Sequence, residues 1–242
     1  MCKAVFLGCP LFVFIFFVLF PVSVEAEEVV LAYDEYPPLN YTEDGKAQGE
    51  IIDLVREAGQ RLGVKTIFIK QPFARALQEV EFRGVDGILG VVKTKERQKF
   101  LYYPSTGHTQ DGPALFAHMQ SGMKVTSLED TRGLVVGVIR GYRYGEGVLE
   151  SLGGEIRYVK DGGTLYKMIA EHRFDLGLGY QLSAEYFLNK IPGGDQVKPV
   201  VKLPTLSLHL VFSKKLGPRG LELAESFSQE INQIKRERKQ AQ

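Results

Sequence analysis

Short apolar runs alternate with stretches of helical periodicity along most of this chain, and the alternation begins twice. Runs at 29–32, 64–69 and 87–92 flank a helical stretch at 51–62 and another at 74–80. In the first stretch Ile51, Leu54, Val55, Ala58 and Leu62 share a face, and Gly63 supplies a left-handed helix end. Beyond Lys124 the pattern resumes. Strands are expected at 134–139, 156–159, 176–180, 197–201 and 208–212, with helices at 145–152, 165–171 and 184–190. A long charged helix starts at Leu221, and Ser127 reads as the cap of a short turn with Asp130 three residues on. Such alternation favours parallel pairing with crossover helices, an α/β fold. The segment at 114–119 that joins the two blocks is itself apolar and strand-like. A stiff join of this kind suits two lobes that close on a hinge.

The first residues read as an export leader. Lys3 precedes an apolar stretch from 5 to 24, and Val24-Glu25-Ala26 places small residues where a signal peptidase cuts, so cleavage is expected after Ala26. Pro10 and Pro21 leave a core shorter than the roughly 20 residues a spanning helix needs. Leu7-Gly8-Cys9 resembles an acylation box, but its apolar run follows it instead of preceding it. Removal of 26 of the 242 residues leaves 216, enough for two small lobes with cores of their own. Both cysteines, Cys2 and Cys9, fall in the leader, so the remainder relies on packing and not on disulfides.

The formal charge of +1 gives no basis for a nucleic-acid or polybasic membrane surface. The basic run at 235–239 suits the end of a helix, where cations complement the dipole. His108, His118, His172 and His209 show no ligand spacing, and no metal or cofactor is expected. There is no G-x-S-x-G elbow for covalent hydrolysis. The Gly-rich stretch 137–147 lacks a nucleotide fingerprint, but a helix opening after it would present free N–H groups to an anion.

An ordered set of residues carries a family resemblance. Tyr33-Asp34-Glu35-Tyr36-Pro37-Pro38-Leu39-Asn40-Tyr41 is followed by Gly49-Glu50-Ile51-Ile52-Asp53-Leu54, Phe73, Ala76-Leu77, Val85-Asp86 and Thr94-Lys95-Glu96-Arg97. The second block adds Ser127-Leu128-Glu129-Asp130, Val136-Gly137-Val138-Ile139-Arg140-Gly141 and Arg173-Phe174-Asp175. The set resembles the family 3 extracellular solute-binding proteins, whose members include amino-acid receptors of ABC importers. That resemblance implies a two-lobed periplasmic-binding-protein fold with two hinge strands and ligand between the lobes. The expected division is lobe 1 at 27–116, with 213–242 returning to it, and lobe 2 at 117–212.

The resemblance also implies site residues, each with a plainer reading as core or surface. Arg97 matches the arginine that forks onto a ligand carboxylate. Tyr36 and Phe73 match ligand-sandwiching aromatics, and Tyr33 and Arg75 lie near them in sequence. Gly141, Tyr142 and Arg143 match a carboxylate-holding turn, here with a phenol and a guanidinium in place of small hydroxyls. Tyr180 stands near the point where amino-acid binders carry an ammonium-pairing aspartate. A cleft rich in arginine and tyrosine and poor in carboxylates would favour an organic acid or aromatic carboxylate over a standard amino acid. Asp86 and Asp175, at strand starts, read as structural.

The expected function is periplasmic capture of a small carboxylate-bearing ligand by a monomer that serves a membrane permease, with no catalytic residue. Two alternatives stand beside it. One is a cyclohexadienyl-dehydratase-like enzyme, for which Glu35 is the candidate acid. The other is a ligand-sensing partner of a membrane receptor.

Overall fold

A computed structural model describes residues 27–82 and 84–241 of the chain. The expected leader, 1–26, lies outside them. In chain order the first lobe contributes β1 (Glu27–Tyr33), β2 (Tyr41–Glu43), β3 (Lys46–Gln48), α1 (Glu50–Leu62), β4 (Val64–Lys70), α2 (Phe73–Phe82), β5 (Gly87–Val92), β6 (Leu101–Tyr102) and β7 (Thr109–Asp111). The second contributes β8 (Pro113–His118), β9 (Val135–Ile139), β10 (Glu155–Val159), α3 (Gly162–Ala170), β11 (Leu176–Tyr180), α4 (Gln181–Leu188) and β12 (Val197–Lys202). The chain then returns through β13 (Leu206–Ser213) and ends in α5 (Pro218–Gln240).

The two main sheets share one plan. The first runs β4-β1-β5-β13-β6, with β7 also on β13, and the second runs β10-β9-β11-β8-β12. In each, three parallel strands form one side. An antiparallel strand that has just crossed from the other lobe, β13 or β8, is inserted beside them. Sheet membership therefore puts the crossings at Gly112 and at 203–205, and not at 116 and 212 as expected. The apolar run 114–118 is not a free hinge strand, because both of its edges are paired inside the second sheet.

The shared plan extends to side chains. Asp86, before β5, accepts the Val30 N–H at 2.8 Å, and its own N–H donates to the Val30 carbonyl. Asp175, before β11, does the same with Val135, at 2.7 Å for the carboxylate. Each acid clamps the start of one parallel strand to its neighbour.

α1 behaves as its periodicity requires. Ile51, Leu54, Val55 and Ala58 are buried, and Gly63 closes the helix at φ +69 with its N–H on the Gln60 and Gly59 carbonyls. α5 packs against α1, and the basic run within it is less free than expected: Arg238 pairs with Glu57 at 2.6 Å, and Lys235 donates to the His108 carbonyl. Arg61 of α1 reaches Glu230 and Glu237 of α5 in return.

Two expectations fail locally. The stretch 145–152 forms turns and no helix, because Gly145 and Gly147 adopt φ +122 and +72, outside the right-handed helical region. The anion-binding helix start expected there is thus absent. At 127–130 the capping acceptor is Asp130, whose carboxylate receives the Thr126 and Ser127 N–H groups.

Asp86→Ala and Asp175→Ala are each expected to lower unfolding stability by about 1.5–3 kcal/mol, the range for hydrogen bonds to charged groups. Denaturant melts check this, and an unchanged midpoint would remove the acids from the strand clamp.

Candidate functional site

The carboxyl ends of β1, β5, β9 and β11 face one another across the lobe boundary, the usual ligand position in open α/β sheets. The sequence 36–40 folds as a tight turn, with Tyr36 N–H on the Asn40 carbonyl at 2.8 Å and Leu39 N–H on the Tyr36 carbonyl at 3.0 Å. Gly49 makes this possible: a Cβ there would lie 2.4 Å from the Leu39 oxygen. The turn directs the Tyr36 ring into the boundary, where Phe73, Arg97, Tyr142, Arg143 and Tyr180 meet it.

The residues brought together hold the lobes closed on each other. Arg97 is 5% exposed and donates to the Val92 carbonyl at 2.9 Å and, across the boundary, to the Gly141 carbonyl at 2.6 Å. Its guanidinium lies 5.3 Å from the Phe73 ring centre. Burial pulls its pKa down to about 10, so it remains charged at neutral pH. Tyr142 of the second lobe donates its hydroxyl to Asp34 of the first at 2.5 Å. Gly141, at φ +86, allows this approach, since a Cβ would sit 3.2 Å from Ala74 Cα. Tyr36 donates to Asp111 at 2.6 Å, and Tyr180 to the Arg143 carbonyl at 2.6 Å. Phe73 and Tyr142 pack edge-to-face at 5.0 Å, and Tyr36 and Tyr180 at 5.8 Å. The cavity left among these groups is about 20 Å³, room for one water.

Of the expected residues, Arg97, Tyr36, Phe73, Tyr142, Arg143 and Tyr180 line this cavity, and Gly141 supplies the carbonyl that caps Arg97. Two lie elsewhere. The Tyr33 hydroxyl pairs with Thr42 at 3.0 Å, and Arg75 points outward from α2 toward Glu79 with 67% of its side chain exposed. Glu35 is also directed away, onto Lys70 at 2.6 Å.

A cleft poor in carboxylates is the expectation that needs correcting. Asp34 lines the cavity, and Asp111 closes it behind Tyr36; both are buried. Asp34 is the first residue past β1, where alternation no longer dictates a face. Asp111 ends β7, where its carboxylate also receives the Gly112 and Leu182 N–H groups. The adjacency Asp111-Gly112-Pro113 was the available signal for it, a polar residue at a strand break.

Comparison with known proteins now identifies the family. The family model for bacterial extracellular solute-binding proteins, family 3, matches residues 29–242. The chain belongs to this family. Among curated relatives, the L-cystine-binding protein TcyJ of Escherichia coli strain K12 is 24% identical over 151 residues, which is 62% of this chain. The matched stretch spans 57% of TcyJ. Among solved structures, a histidine kinase sensor domain with similarity to periplasmic binding proteins superposes with a TM-score of 0.78 at 20% identity, covering 87% of this chain and 91% of that one. An ancestral arginine-binding protein bound to arginine gives a TM-score of 0.74 at 21% identity, covering 86% and 92%. These likenesses establish the α/β, two-lobed fold of this family 3 protein. No helix among its described residues is long and apolar enough to cross a membrane.

Burial raises Asp34 from its ordinary 3.8 to about 6. Opening the lobes returns its carboxyl to water, so the closed form binds the proton more tightly. Closure is therefore favoured as pH falls from about 6 toward 4, by at most about 3 kcal/mol. Burial acts oppositely on His108 and His209, lowered to about 3 and about 4, which both lie in the first lobe's sheet region. Their contribution to unfolding stability is lost as pH falls below the ordinary 6.5. Small-angle scattering is expected to show a more compact particle at about pH 5 than at about pH 7.5, while the melting temperature drops. Asp34→Asn is expected to weaken the first effect and keep the second, with Asp111, which burial raises in the same direction, supplying what remains; an Asn variant that compacts as fully as the parent on acidification would contradict the assignment.

Proposed function

We propose that this protein captures a small amino acid between its lobes and presents it to the membrane permease of an ABC-type importer, after export to the periplasm and cleavage following Ala26. The observation that carries the reading is the state of Arg97. A buried guanidinium needs hydrogen-bonding partners of good geometry. Here a peptide carbonyl of the opposite lobe, Gly141, stands where a ligand carboxylate would give the stronger charge-assisted pair. Tyr36, Phe73, Tyr142 and Tyr180 supply aromatic faces to the rest of the ligand. Asp34 and Asp111 supply the acidic groups that an ammonium requires, which turns the reading from an organic acid toward an amino acid. TcyJ, by its name, binds L-cystine, and the ancestral relative holds arginine, so amino acids are the first ligands to try.

Binding requires the lobes to part, since about 20 Å³ admits no amino acid. Ligand then replaces the Gly141 and Tyr142 contacts with its own, and the two lobes close on it.

One observation favours a second reading, an enzyme on this scaffold. Asp34, at about 6, is poised for proton transfer in the cleft, in the place where Glu35 was expected to act. Recovery of the ligand separates the two readings. A thermal-shift screen of amino acids is expected to give a hit, with ligand at about 100 times its Kd adding roughly 2.7 kcal/mol. The hit is expected to be recovered unchanged; consumption would favour the enzyme. Arg97→Ala is expected to weaken that ligand by about 2–5 kcal/mol while the fold persists. Calorimetric titration checks this, and an unaltered affinity would exclude Arg97 from carboxylate binding.

A further inference from the structure

Away from the cleft, two histidines meet at the far end of the second lobe's sheet. β11 ends in the cleft at Tyr180, beside Pro113, and begins at Leu176, beside Ala117. β12 begins at Val197, beside His118. Three chain segments therefore come together at that far end: the one leaving β8, the one entering β11 and the one entering β12. The first brings His118 and the second brings His172, with ring centres 3.9 Å apart and planes tilted by 45°. The third brings Asp195, close enough to act on the charge of His118. No spacing in the sequence marks the pair, because sheet order alone joins the segments.

Two further observations set the pair apart from ordinary packing. His172 holds φ +55, a left-handed backbone that otherwise falls, among the described residues, to glycines and to Asp44 in the turn between β2 and β3. Its ring is exposed, so no burial offsets the cost of that backbone. His118 is buried instead, and its Nδ1 accepts the Gln120 N–H at 3.2 Å, which fixes the ring. One imidazole is thus held in place while the other lies on the solvent side of it. Burial first, and then the neighbouring His172, keep His118 below its ordinary pKa, so its ring is neutral at neutral pH. The remaining histidines, His108 and His209, are buried in the first lobe.

We infer that His118 and His172 chelate a late first-row divalent ion of the zinc, copper or nickel class, for which neutral imidazole is a preferred ligand. No third side chain completes the shell: among the described residues no group of three or more His, Cys, Asp or Glu is placed to hold an ion. Water fills the remaining positions, and Asp195 contributes its charge from outside them. Metal–nitrogen bonds of about 2.0–2.1 Å put the ring centres of two imidazoles on one ion roughly 4.5–5 Å apart, so the exposed His172 ring swings out by about 1 Å. Ligation through His118 Nε2 moves the ring proton to Nδ1, and the Gln120 N–H, on the exposed segment 119–121, turns to water. The bound ion cross-links the chain after β8 to the turn before β11, and so stabilises the second lobe without entering the cleft.

The test titrates the untagged, metal-free protein with Zn²⁺ and Cu²⁺ by calorimetry, beside the variants H118Q and H172G. The parent is expected to take one ion, and each variant to bind it about tenfold or more weakly, a difference of about 1.4 kcal/mol. Without metal, H172G is expected to melt no lower than the parent, since glycine adopts φ +55 without strain. Added zinc is expected to raise the melting temperature of the parent alone. Electron paramagnetic resonance of the Cu²⁺-loaded parent is expected to show two coupled ring nitrogens, with one lost in each variant. Equal affinity in the parent and both variants puts the ion elsewhere and overturns the inference. Loss in one variant only leaves a single imidazole with an adventitious ion only, and overturns the chelate as well. A parent that binds neither metal overturns it outright.

Discussion

A single buried cation organises the space between the lobes. Arg97 stands at the end of the Thr94-Lys95-Glu96-Arg97 turn, almost wholly removed from water. A charge in that position is tolerated only where acceptors are already in place. One acceptor, Val92, belongs to its own lobe, and the other, Gly141, belongs to the lobe opposite. Closure therefore satisfies Arg97, and opening exposes it to water or to a ligand. The Tyr142–Asp34 hydrogen bond adds a second strut of the same kind, and the contact of Tyr41 with Tyr186 at 5.8 Å adds packing at the rim.

This arrangement gives the binding equilibrium its form. A ligand competes with contacts that the protein already makes with itself, so its apparent affinity is reduced by the population that is closed without it. Aromatic rings fill the cleft in the absence of ligand, which keeps the apolar faces of Phe73 and Tyr142 from standing in water. Both effects favour ligands that offer a charge-assisted partner to Arg97 over those that offer only apolar surface.

The sequence made the architecture legible because each element carries its own signature. α1 was visible from five apolar residues on one face and a terminal glycine; β5 and β11 were visible as short apolar runs before and after turns. Six of the candidate cleft residues lie together because each sits at a strand end or helix start or in the turn that follows a strand, where the fold gathers them. What was hidden depended on geometry that no local pattern encodes. Tyr33 and Asp34 are neighbours, and only the register of β1 decides that the first meets Thr42 and the second faces Tyr142. Arg75 follows Phe73 by two residues, and the helical rotation carries it to the outside of α2. The glycines at 145 and 147 undid a helix that periodicity alone suggested. His118 and His172, without any shared spacing, meet with ring centres 3.9 Å apart and planes tilted by 45° because β8 runs beside β11, and the turn before β11 brings His172 back over it.

The central claim is that a ligand carboxylate takes the place of the Gly141 carbonyl on Arg97. A crystal structure of the protein grown with the amino acid that stabilises it most in a thermal screen tests this directly. The account predicts the ligand carboxylate within hydrogen-bond distance of the Arg97 guanidinium, with Gly141 and Tyr142 displaced from Arg97 and Asp34. An amino acid bound between the lobes with the Arg97–Gly141 and Tyr142–Asp34 contacts both intact would contradict it.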